Sequence, residues 1–397
     1  MSNREPGAPA GKGFIPLSIP HLAGNEWAYV KECLDTNWVS SAGPFVDRFE
    51  REMARVAGTK HAVATVNGTA ALHIALMLAG VGAGDEVVVS DLTFIAPANA
   101  IRYVGAYPVF VDAEPAYWQM DVQKLKDFLE QGCDATSQGL RNRETGRRVK
   151  ALLPVHILGN VCEMGAILAL GDRFGLPVLE DATECLGAKY GERPAGSLGL
   201  MGCFSFNGNK ILTTGGGGML VTNDDRLAQR AKYLTTQAKD DPLEFVHGEV
   251  GYNYRLPNVL AAIGCAQLEQ LDKFVARKRE IAAAYTDALV GLPGVAPLRE
   301  PPGTFSTFWL YTTCIDESKA KLGSRDLMKA LDAEGIQTRP VWQPMHLSPA
   351  HDGAFATDCS VSERLNRDGL SLPCSVGLSN NDREYVIKIV SEALGRY

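Results

Sequence analysis

The chain has 397 residues, 46% hydrophobic and 21% charged, enough for a large core and more than one folding unit. A formal net charge of −7 excludes a general nucleic-acid binder, which needs a basic surface. No apolar run approaches a membrane span; nine cysteines without a CxxC pair, behind an N-terminus with no secretory pattern, point to a reducing, cytoplasmic setting.

Residues 1–13 are rich in Gly, Pro and Ala without periodicity and read as a flexible tail. A helix opens at Gly24-Asn25-Glu26, with Asn25 as its cap, and runs to about Leu34. The following loop carries Trp38, Ser40 and Ser41, which suit either a ligand-facing surface or turn chemistry. A second amphipathic helix covers 44–57. From His61 short apolar strands alternate with helices. Strands are expected at 61–66, 86–90, 108–112, 150–155, 176–181 and 218–222, and helices at 70–79, 94–103, 121–130, 163–174 and 224–234. This alternation implies an α/β fold with a mostly parallel sheet covered on both faces, whose ligands bind outside the carboxyl ends of the strands. Residues 131–148 read as a polar surface excursion and 235–251 as a polar loop. One long helix is expected over 258–289, leading into a smaller α+β unit with strands at 308–314 and 336–339 and helices at 327–334 and 382–394. The organisation is thus a tail (1–13), a large unit (14–257), and a connecting helix with a small unit (258–397).

The stretch Cys203 to Met219 holds a hydroxyl at Ser205 and a single lysine at Lys210 among apolar and glycine residues. A lysine amine in surroundings poor in charge loses its proton more easily and becomes a nucleophile towards carbonyls. Gly215 to Gly218 suit either room for a ligand or partner subunit, or a tight strand connection. Asn67-Gly68-Thr69, between a strand and a helix, is either an anion site or an ordinary junction. Asp181 ends a strand, where it suits an ion pair with a protonated ring nitrogen or a local cap. Phe94 is placed to stack on a planar ring or to fill the core. Asn253 and Arg255 lie in an aromatic-polar loop that packs on something, a second subunit among the options. Arg339, Trp342 and His346 come close together in the small unit, where the arginine suits a diphosphate or a plain surface stack. No P-loop, dinucleotide fingerprint or HExxH is present. His346 and His351 sit in a Pro-containing loop without a partner cysteine, so no metal site is expected.

These pieces ask for one ligand, a planar phosphorylated cofactor that forms an imine with lysine, and pyridoxal 5'-phosphate meets each demand. From about Phe14 onward the chain resembles the fold-type I pyridoxal-phosphate aminotransferases of nucleotide-linked keto sugars, the DegT/DnrJ family. The resemblance is carried by Val66-Asn67-Gly68-Thr69-Ala70-Ala71-Leu72, Leu92-Thr93-Phe94, Glu180-Asp181-Ala182-Thr183-Glu184, Phe204-Ser205-Phe206 with Lys210, and Gly251-Tyr252-Asn253-Tyr254-Arg255.

The resemblance implies a large domain with a mostly parallel seven-stranded sheet and a smaller C-terminal α+β domain. It makes Lys210 the catalytic residue and cofactor anchor, and places Asp181 on the pyridine nitrogen. Phosphate goes to Gly68, Thr69 and Ser205, the ring stacks on Phe94, and Glu184 lies near the cofactor. Asn253 reaches the phosphate from the neighbouring subunit, which implies a homodimer with shared active sites. Asn207-Gly208-Asn209 and Glu184 look most like the branch that aminates C4 of UDP-linked 4-keto-6-deoxy-N-acetylhexosamines with L-glutamate, feeding bacillosamine- and legionaminic-type glycans. Ser40, Asn207, Arg339, Trp342 and His346 are the candidate substrate contacts. The alternatives are another nucleotide keto sugar (C3, or dTDP- or GDP-linked), a family dehydratase, whose branch has histidine in place of the lysine, or a non-catalytic cofactor-binding regulator.

Overall fold

The computed structural model describes residues 13–137, 139–241 and 243–395. The tail expected over 1–13 lies outside the described residues apart from Gly13. The central sheet is built from β1 (His61–Thr65), β2 (Glu86–Ser90), β3 (Tyr107–Val111), β4 (Val149–Leu153), β5 (Leu179–Asp181), β6 (Met201–Ser205) and β7 (Gly218–Thr222). Their order is β1-β7-β6-β5-β4-β2-β3, with β5 and β4 joined through the bridges Leu152 to Val178 and Val155 to Asp181. Only β7 runs antiparallel to its neighbours. The seven expected strands are therefore present. A short segment of the C-terminal half, Phe355–Ala356, adds to the free edge of β3.

Central strands of a parallel sheet are buried on both faces, so they read as continuous apolar runs. Val87, Val88 and Val89 are fully buried, as are Val109, Phe110 and Val111. Helix starts follow side-chain capping. Asp121 accepts from the amides of Gln123 and Lys124, and Asp224 from those of Arg226 and Leu227. Asn25 does not cap as expected. Its amide group instead bonds Glu269, and Glu26 takes the amide of Gly24.

Three other expectations are corrected. The long helix over 258–289 is two helices, Asn258–Leu268 and Leu271–Leu289. The break falls where Gln267 bonds the carbonyl of His21 and Glu269 bonds Tyr29 and Arg48, tying this corner to the N-terminal segment. The excursion at 131–148 is a β-hairpin, Cys133–Thr136 with Gly139–Asn142, whose base satisfies the fully buried Glu86 through Asn142 and Thr145. The polar loop 235–251 holds a small hairpin, Lys239–Asp241 with Val246–His247, that leaves Leu243 and Val250 at least 80% exposed.

A second, antiparallel sheet joins Val295–Pro297, Tyr311–Ile315, Gly369–Leu372 and Arg339–Pro340. The N-terminal residues pack here: Ile15 bridges Ile336, and the carbonyl of Leu17 takes the amide of Cys374. This places residues near Trp309 beside the carboxyl ends of β5 and β6.

Candidate active site

Helix α1, as numbered here (Gly68–Leu78), begins directly after β1. Asn67 caps it by accepting from the amide of Ala70 at 2.8 Å. The amides of Gly68 and Thr69, at the head of the helix, have no partner among the described residues. A helix start presents exactly such orphan donors with a favourable dipole for an anion. β6 ends against it: a Cβ on Gly68 would lie 2.9 Å from Cβ of Ser205, so only glycine lets this strand end approach the helix head. The hydroxyls of Thr69 and Ser205 also lack a protein partner among the described residues.

Asp181 ends β5 and is 1% exposed. One carboxylate oxygen accepts the amide of Thr183 at 3.1 Å. The Thr183 side chain hydrogen-bonds the same carboxylate. A buried carboxylate held by neutral donors alone is costly unless a cationic donor completes it. Burial raises the Asp181 carboxyl above its ordinary range, and the Thr183 bonds and the charges of Lys210 and His156 pull it back.

Glu184 is a second buried carboxylate residue beside the site. One oxygen accepts the amide of Leu158 at 2.9 Å; the other is 3.6 Å from Lys210 Nζ. Burial pushes its pKa up to about 7, although Lys210 and the Leu158 amide oppose the shift. The native state then holds a proton that the unfolded chain releases between its ordinary 4.5 and about 7. The group's contribution to stability is fully present below about pH 4.5 and is lost as pH rises through 7, by on the order of 3 kcal/mol. Glu184→Gln, which cannot ionise, is expected to raise the Tm of the cofactor-free protein at pH 8 and to leave it little changed at pH 5. Thermal unfolding at the two pH values checks this.

The helix head, Ser205 and Glu184 open onto one cavity of about 350 Å³, and Asp181 is buried two residues before the lining Thr183. Gly68, Thr69, Phe94, Glu184, Ser205, Asn207, Lys210 and Trp342 line it, as do Thr183 and Trp309. Phe94 is 55% exposed, so it is a flank of the cavity and not a core residue. Gly216 borders the cavity with nothing within 4 Å of a would-be Cβ. At Gly217 and Gly218 a Cβ would meet Thr214 Oγ1 and the Asn67 carbonyl carbon at 2.4 Å. The glycine run thus serves both expectations, room at Gly216 and close strand approach at Gly217 and Gly218.

The donor set fits pyridoxal phosphate. Unpaired helix-head amides and two hydroxyls suit the phosphate, the buried carboxylate of Asp181 suits a protonated ring nitrogen, and Lys210 supplies the amine.

Four expected site residues lie elsewhere. Ser40 is exposed and spends its carbonyl on the amide of Asn258. Arg339 is exposed on the second sheet, with its guanidinium on the Thr338 carbonyl. His346 is bonded to Asp91 through Nδ1 at 2.9 Å and to Glu363 through Nε2 at 3.3 Å. Asn253 is exposed in a loop bridged to Thr236 and does not line the cavity of its own chain. A cysteine does stand near His346, contrary to expectation. Cys359 Sγ, Asp91 and His346 have ligand-type atoms within 4.8 Å of one another, but the imidazole and amide of His346 already take both oxygens of Asp91. Trp309 was not singled out by sequence. It sits at the end of an aromatic run, Phe305 to Trp309, which signals packing but not its target.

The sequence model of the DegT/DnrJ/EryC1/StrS aminotransferase family matches residues 20–391. Over 384 residues the chain is 41% identical to GDP-perosamine synthase of Caulobacter vibrioides, covering 96% of this chain and 98% of that one. Among solved structures, the aminotransferase TlmJ of Streptoalloteichus hindustanus superposes with a TM-score of 0.86 at 32% identity, covering 96% of this chain and 98% of that one. DesV of S. venezuelae superposes with a TM-score of 0.84 at 32% identity, covering 94% and 95%.

Proposed function

The chain belongs to the DegT/DnrJ/EryC1/StrS aminotransferase family, sugar aminotransferases that use pyridoxal 5'-phosphate, and we propose that it moves the amino group of L-glutamate to the C4 keto group of a UDP-linked 4-keto-6-deoxy-N-acetylhexosamine. The observation that carries the reading is the meeting of Lys210, Ser205 and the free helix-head amides in one cavity, with the buried carboxylate of Asp181 two residues before the lining Thr183. Asn207-Gly208-Asn209 and Glu184 support the UDP-linked branch. The likeness to GDP-perosamine synthase supports a second reading, a GDP-linked 4-keto-6-deoxyhexose. Lys210, where the dehydratase branch carries histidine, favours transamination over loss of a sugar hydroxyl.

Bound pyridoxal phosphate supplies an electron sink conjugated to the carbon that gains or loses the amine. The residues of the chain do the rest. The Gly68 and Thr69 amides, with the Thr69 and Ser205 hydroxyls, fix the phosphate end. Asp181 holds positive charge on the ring nitrogen from within a buried site, where a single charge acts most strongly. Lys210 Nζ takes the proton from the α-carbon of the amino donor and returns one to the sugar carbon in the second half of the cycle. 2-Oxoglutarate leaves between the halves, so the kinetics are ping-pong.

The enzyme acts as a homodimer in the cytoplasm. Phe94 at 55% exposure and the apolar tips Leu243 and Val250 are left for a second copy to cover, and Asn253 is free to reach that copy's phosphate. Among the described residues no helix is long and apolar enough to cross a membrane. Mixing Lys210→Ala chains with Asn253→Ala chains is expected to restore one normal site per hybrid dimer, about a quarter of wild-type activity in a random 1:1 mixture, by the subunit logic of an isologous pair; hybrids as inactive as either parent would exclude a shared site.

A panel of UDP-, GDP- and dTDP-linked keto sugars, offered with glutamate and read by mass spectrometry, tests the substrate. The UDP-linked N-acetylhexosamine is expected to be the best acceptor. Preference for the GDP-linked sugar would establish the second reading, and preference for a 3-keto sugar would contradict both.

A further inference from the structure

Lys210 is held from outside its own loop. The carbonyl of Asn209 accepts from Trp309 Nε1 at 2.7 Å and from Ser18 Oγ at 3.2 Å. The same indole lies against the amine, with Lys210 Nζ 4.1 Å from the ring centroid. Trp309 is itself anchored. It is 3% exposed, and its carbonyl accepts a hydrogen bond at 2.8 Å from Nζ of Lys278, which is 2% exposed. The Lys278 amine also donates to Cys374 Sγ at 3.7 Å. Burying an amine costs free energy, so a lysine spent on one carbonyl fixes that carbonyl firmly.

An aromatic face attracts a cation through its quadrupole, more strongly where water is excluded, and does little for a neutral amine. During transamination the freed Lys210 is neutral before it takes a proton and a cation afterwards. The carboxyl of Glu184, 3.6 Å from Nζ, is the acidic neighbour on the other side. We infer that Trp309 is a positioning residue for the reaction: its N–H fixes the Asn209–Lys210 backbone, and its ring seats the Lys210 amine as a cation between proton uptake and proton return. This inference rests on the reading of Lys210 as the lysine that carries the cofactor.

Two variants of the cofactor-loaded enzyme separate the roles of ring and N–H. Trp309→Phe keeps an aromatic face and loses the N–H; Trp309→Met keeps bulk and loses both. With α-deuterated glutamate, Trp309→Met is expected to slow single-turnover proton transfer about tenfold and raise the isotope effect, with the donor KM within about twofold. Trp309→Phe is expected to stay within about threefold of wild type. Independently of activity, hydrogen exchange of the amides around Lys210 is expected to speed up in both variants, since both lose the bond to the Asn209 carbonyl. Equal rate losses in the two variants, or none in either, would overturn the inference. Should Trp309→Met not fold, fluorinated tryptophans, which weaken the ring quadrupole at nearly constant size, replace it, and a rate indifferent to fluorine number is the contradicting result. If Lys210→Ala leaves the cofactor's visible band intact, the reading of the site fails; if that band is lost and Trp309→Met is unaffected, this inference alone fails.

Discussion

Replacing Lys210 with alanine is expected to abolish the visible absorbance of the cofactor-loaded protein and to cut transamination at least about 10⁴-fold, since in the proposed function one amine serves as both covalent anchor and proton carrier. The amine lines the cavity with Thr69 and Ser205 at one end, stands 3.6 Å from Glu184, and rests over the indole of Trp309. Lys210 is half-buried at the cavity wall and not in the core, so the variant is expected to fold. Absorbance spectra before and after dialysis against pyridoxal phosphate check the first effect, and a coupled assay for 2-oxoglutarate checks the second. An unchanged band would remove Lys210 from its role.

Asp181→Asn is expected to lower the rate about 10²- to 10³-fold, comparable to removing one preorganised electrostatic group from an active site. Asparagine keeps the size of the side chain and an oxygen for the Thr183 amide, now 3.1 Å away. It loses the charge that, in the proposed function, faces a ring nitrogen. Because burial raises the Asp181 carboxyl above its ordinary range, the cofactor is expected to bind more weakly as pH falls. The variant should lose this pH dependence. Measuring cofactor affinity by fluorescence quenching at several pH values, with kcat beside it, separates the effect on binding from that on proton transfer.

The local pieces of this site were legible in the sequence because each obeys a short-range rule. Asn67 caps a helix, Asp181 ends a strand, and Ser205 and Lys210 flank a strand-to-loop transition. The parallel sheet then brings all their carboxyl ends to one edge. What the sequence did not disclose depends on distant parts of the chain. Trp309 reaches Lys210 across about a hundred positions, and the pattern of an aromatic run says that it packs, not against what. His346 looked free for substrate as part of Arg339 to His346, yet Asp91 claims it from the end of β2. The helix over 258–289 carries one amphipathic pattern, and its break at Glu269 follows from contacts to Tyr29 and Arg48. Periodicity cannot register such tertiary claims on individual side chains.

The account stands most directly on the fate of one nitrogen atom. Purified enzyme is incubated with ¹⁵N-labelled L-glutamate and the UDP-linked 4-keto-6-deoxy-N-acetylhexosamine, and the sugar product is read by mass spectrometry and ¹⁵N NMR. The expected product carries the label on C4, with 2-oxoglutarate formed in equal amount. A sugar that loses a hydroxyl and gains no label, or that carries the label at C3, would contradict the account.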